Sequence, residues 1–66
     1  MAEQRPSEDL KEERRREIFR ALVVTEDLQE MTRAQARRLV ARRFSITEAV
    51  ALQIEREGMD RLWPPL

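Results

Sequence analysis

Between Ser7 and Glu57 the chain contains neither glycine nor proline. Its single glycine is Gly58, and its three prolines, Pro6, Pro64 and Pro65, lie near the two ends. An uninterrupted stretch of this kind, dominated by Ala, Leu, Arg, Glu and Gln, favours helix, because these residues lose little side-chain freedom there. β-Branched residues never build a sustained alternation, so a sheet has no pattern to start from. The expected fold class is all-α: a small three-helix domain containing a helix-turn-helix.

Side-chain caps divide the stretch. Ser7, followed by Glu8 and Asp9, suits a helix start, since a hydroxyl and two negative charges satisfy the exposed N–H groups. The first helix is predicted over about 8–29, behind a disordered tail at 1–7. Its early part, Lys11 to Glu17, is almost entirely charged and reads as a solvated helix with pairs such as Glu12–Arg16. Its later part offers Ile18, Phe19, Leu22, Val23 and Leu28 at helical spacing. Thr32-Arg33-Ala34-Gln35 fits a capping box and opens a second helix over 32–44, with Ala36, Leu39, Val40 and Phe44 as its apolar stripe. Thr47, with Glu48 behind it, opens a third over 47–57 or onward to 62. Gly58 reads either as its cap or as an interior residue. Pro64, Pro65 and Leu66 form a short tail.

Composition removes whole classes of function. There is no Cys and no His among the 66 residues. Disulfides, thiolate nucleophiles and the usual zinc sites are therefore out of reach, and no catalytic residue, cofactor or metal is expected. One glycine cannot build a phosphate-cradling loop. The longest apolar run, Ala21 to Val24, is far too short to cross a membrane, and the N-terminus lacks a signal-peptide pattern. A cytoplasmic protein of bacterial type is expected, with neither membrane nor small-molecule substrate as a partner. A core of this size supplies only about 3–5 kcal/mol unless something staples it, so a homo-oligomer or protein partner is the remaining staple.

The charge is unevenly placed. Lys+Arg and Asp+Glu each number 13, for a formal net charge of zero. Yet residues 1–30 carry six bases against nine acids, residues 31–47 five arginines and no acid, and residues 48–66 two bases against four acids. The five are Arg33, Arg37, Arg38, Arg42 and Arg43. Arg37, Arg38 and Arg42 can share one face of the second helix. Arginines there suit phosphate contact, which positions a duplex without reading its sequence. They suit equally well pairing with the acids of the first helix, Glu12, Glu13, Glu17, Glu26 and Asp27, or with an acidic partner.

Two capped helices separated by so short a connection form a helix-turn-helix pattern. The stretch RRFSITEAVALQIEREGMDRL sharpens it. Arg43-Phe44, then Ser45, Ile46 and Thr47, then Gln53-Ile54-Glu55 and finally Leu62 resemble, without a gap, the helix-turn-helix of the fourth conserved region of bacterial sigma factors. The resemblance spans roughly Val40 to Leu62. It implies that the third helix enters the major groove of double-stranded DNA, with Thr47, Glu48, Ala49, Leu52 and Gln53 at its groove-facing end. In a helix-turn-helix the preceding helix lies across the phosphate backbone, so Arg37, Arg38, Arg42 and Arg43 are the expected phosphate contacts, with Arg33 also counted among the DNA-binding residues. The resemblance further implies that Ala51, Ile54, Gly58 and Leu62 face the core. Glu48, Ala49, Val50 and Leu52 stand where the family usually places arginines, and Gln53 is the side chain here best suited to a base edge. The function expected is a transcription-related module contacting DNA or the transcription machinery. The alternative is a protein-interaction adaptor or small subunit using Val50, Leu52, Met59 and Trp63 as its contact surface. For Val50 the opposite orientation, inward beside Ile54, is equally open. Trp63 either folds back over the core or leads a Pro-Pro-Leu peptide into a partner's groove.

Overall fold

The structure, a computed structural model, describes residues 10–66. Three helices make up the described residues: α1 (Glu12–Gln29), α2 (Arg33–Arg43) and α3 (Glu48–Arg61). Each packs against both others, and no strand occurs among the described residues. The all-α, three-helix class follows directly.

The start of α1 corrects the expectation. Leu10 and Lys11 are not helical, so α1 begins at Glu12, with Lys11 as an N-cap that makes no side-chain hydrogen bond. Ser7, Glu8 and Asp9 lie outside the described residues. The other two starts fall where the hydroxyls predict. Thr32 Oγ1 accepts from the Gln35 N–H at 3.2 Å while Gln35 Oε1 accepts from the Thr32 N–H at 3.1 Å, a complete capping box. Thr47 Oγ1 accepts from the Val50 N–H at 3.1 Å.

The helix ends follow a different rule. Glu30, Ser45 and Leu62 adopt positive φ values of 51°, 58° and 56°, the left-handed region usually left to glycine. After α2, the Ile46 N–H reaches the Ala41 carbonyl at 2.9 Å and the Ser45 N–H the Arg42 carbonyl at 3.3 Å. After α3, the Trp63 N–H reaches the Gly58 carbonyl at 2.9 Å and the Leu62 N–H the Met59 carbonyl at 3.4 Å. Both pairs are Schellman closures, which satisfy carbonyls that the helix itself leaves open. Helix α3 therefore runs through Gly58 and stops at Leu62.

The core gathers Ile18, Phe19 and Leu22 from α1, Val40 from α2, Val50 and Ile54 from α3, and Trp63 from the tail. Ala36, Ala41 and Ala51 are buried too, and their small side chains let the helices approach. Gly58 faces Phe19 so closely that a Cβ there would overlap the aromatic ring. Phe19 and Trp63 meet edge to face, with centroids 6.1 Å apart. Three expected core residues lie elsewhere. Leu28 is 78% exposed, Leu62 72% and Leu39 38%. Leu28 sits in the last turn of α1, Leu39 on the outer side of α2, and Leu62 at the left-handed cap, where its Cβ turns away from the helix.

Candidate nucleic-acid interface

The arginines of the basic segment sort into two groups. The first group is engaged by acids. Arg37 Nη1 donates to Glu55 Oε1 at 2.7 Å, and both side chains are largely enclosed between α2 and α3. Arg38 lies 3.7 Å from Glu48 and Arg33 3.8 Å from Glu26, both pairs mostly in solvent. Arg33 also donates to the Met59 sulfur. Pairing thus occurs, but two of these three partners belong to α3 and only Glu26 to the first helix. Arg37 is the clear correction to the phosphate-contact set, because its guanidinium is held against a buried carboxylate.

The second group has no carboxylate partner among the described residues. Arg42 and Arg43, in the last turn of α2, are exposed and make no ion pair there. Arg43 lies 5.8 Å above the Phe44 ring, and Arg14 of α1 covers the same ring at 4.9 Å. Such stacking fixes a guanidinium by its planar side while leaving N–H groups at its edge. Arg14 is a residue that reading the basic segment alone passes over, because it belongs to the charged half of α1. It keeps an exposed pair with Glu17 at 2.8 Å.

On α3 the outward side bears Glu48, Ala49, Gln53, Arg56 and Asp60, with Thr47 exposed ahead of them and Leu52 half-buried beside them. Gln53 stands in solvent. Arg56 was not among the expected site residues. It is exposed, makes no ion pair among the described residues and follows Gln53 by three residues, which puts both on one face. The Arg38–Glu48 contact shows that the outer side of α2 adjoins the first turn of α3.

The proposed protein-contact residues fare differently. Val50 is 4% exposed and Trp63 2%, so both belong to this chain's own core. Met59 is half-buried against the same cluster, beneath Arg33. Of that set Leu52 and Met59 alone retain partial exposure, and the contact surface built on the four is corrected accordingly. Trp63 takes the folded-back alternative, with Arg16 stacked on its ring at 5.3 Å.

Among the described residues no cluster of acidic side chains has metal-binding geometry, and no helix is long and apolar enough to cross a membrane. No protein-family profile, curated protein or solved structure matches the chain.

Proposed function

We propose that this chain is a small helix-turn-helix module that contacts double-stranded DNA in a transcription-related setting. The observation carrying the proposal is the exposed pair Gln53–Arg56 on α3, together with the exposed Arg42 and Arg43 at the end of α2, which make no ion pair among the described residues. Gln and Arg are the side chains that hydrogen-bond base edges in two places at once, Gln to adenine and Arg to guanine. Arginines on the preceding helix would hold the phosphate backbone. The sequence resemblance around Arg43-Phe44 and Gln53-Ile54-Glu55 supports α3 as the helix that enters the groove. In this reading Arg42, Arg43 and Arg38 position the duplex, Gln53 and Arg56 read it, and Ala49 lets α3 approach the groove. Arg37 acts through Glu55 to hold α3 against α2.

Binding of a fluorescein-labelled duplex, followed by anisotropy, tests this. If three arginines displace counterions, affinity falls roughly 40-fold between 50 and 200 mM salt. Arg42→Ala with Arg43→Ala lowers the logarithmic salt slope by about two, whereas Gln53→Ala with Arg56→Ala flattens sequence preference and costs about 1–3 kcal/mol per lost base contact. No binding at low salt rejects the proposal and leaves the adaptor alternative.

A further inference from the structure

The exposed apolar residues do not lie where the sequence placed a contact surface. On α1, Val24 and Leu28 are exposed, and Ala21, partly buried, packs against the core at their edge. Spaced three and four apart, they form one stripe along the outer side of the helix. Arg20 and Asp27 border this stripe on one flank, both exposed and neither in an ion pair among the described residues. Seven residues separate them, about two turns, so they lie on the same side of the stripe.

We infer that a second copy of this chain docks on the stripe, the two α1 helices running antiparallel about an axis at Val24. In that arrangement same-flank residues face each other. Val24 meets its own counterpart, Leu28 of each copy covers Ala21 of the other, and Arg20 of each copy reaches Asp27 of the other. The two ion pairs arise together by symmetry. In a parallel pairing the Arg20–Asp27 flanks of the two copies lie on opposite sides of the contact and neither ion pair forms, so the charge pattern selects the antiparallel form. The net charge of zero removes long-range repulsion between copies. One helix pair is a small contact, which makes the dimer reversible. It uses none of Arg42, Arg43, Gln53 or Arg56, so it stands or falls independently of DNA binding.

Sedimentation of the full chain over a concentration series tests the inference, with circular dichroism checking that each variant keeps its helix content. The expected result is a monomer–dimer equilibrium by about 1 mM. Leu28→Glu, at a solvent-exposed site, abolishes it. Arg20→Glu weakens association at least about tenfold, and adding Asp27→Arg restores it. A monomer throughout, a dimer indifferent to Leu28→Glu, or a charge exchange that fails to restore association would each overturn the inference.

Discussion

Leu62 holds a left-handed backbone, φ 56°, while its side chain is largely in solvent. For a residue with a Cβ that conformation costs about 1–2 kcal/mol, which glycine avoids. Leu62→Gly is therefore expected to stabilise the fold by about 1 kcal/mol, less a little for lost contacts, and to raise the melting temperature by about 4–8 °C. Gly58 behaves in the opposite sense. Its backbone is ordinary helix, and glycine is required there by the Phe19 ring alone. Gly58→Ala gains up to about 1 kcal/mol of helix propensity but overpacks the core, for a net loss of about 1–2 kcal/mol read from the urea midpoint. The one glycine thus serves a close approach within α3, and ordinary residues occupy the positions that usually call for one.

At the scale of the helix, starts and ends differ in how visible they are. Thr32 and Thr47 announce α2 and α3 because capping is local side-chain chemistry. Thr32→Ala, by removing the hydroxyl of the capping box, is expected to cost about 1 kcal/mol, measurable by chemical denaturation. The ends at Glu30, Ser45 and Leu62 were not legible, since nothing in a glutamate, serine or leucine declares a left-handed turn. The length of α1 was misjudged at its start for a related reason. Ser7 is a good cap by composition, yet Leu10 and Lys11 are non-helical and α1 begins after them. Periodicity identified Ile18, Phe19, Leu22 and Val40 as core correctly. It misplaced Leu28 and Leu39, because helical spacing shows that residues share a face without showing whether the neighbouring helix covers it.

Across the whole molecule, charge pairing decides which arginines remain available. Glu55 is buried, and Arg37, eighteen positions away, is its partner. Arg15 grips Glu57 with two bonds, 2.8 and 3.1 Å, from forty-two positions away. Contacts at such separations leave no trace in local pattern, so the basic segment was legible and its division into paired and unpaired members was not. Arg37→Ala strands the Glu55 carboxylate and is expected to cost about 2–3 kcal/mol. Replacing both, Arg37→Met with Glu55→Leu, should cost much less, since neither a desolvated charge nor its partner remains. Thermal melts of the single and double variants check the pair. The same accounting explains why Arg56, unlike Gln53, was passed over. Their exposure depends on which side of α3 meets α1 and α2, and that is fixed by Phe19 lying against Gly58.

The folded-back Trp63 has one further consequence. With one Trp and no Tyr in the chain, near-ultraviolet emission comes essentially from a single place. That place is the seam between the end of α3 and the middle of α1, with Phe19 at the edge of the indole and the Arg16 guanidinium over its face. The molecule carries its own optical gauge: blue-shifted while α1 and the α3 tail are closed, red-shifted once water reaches the ring.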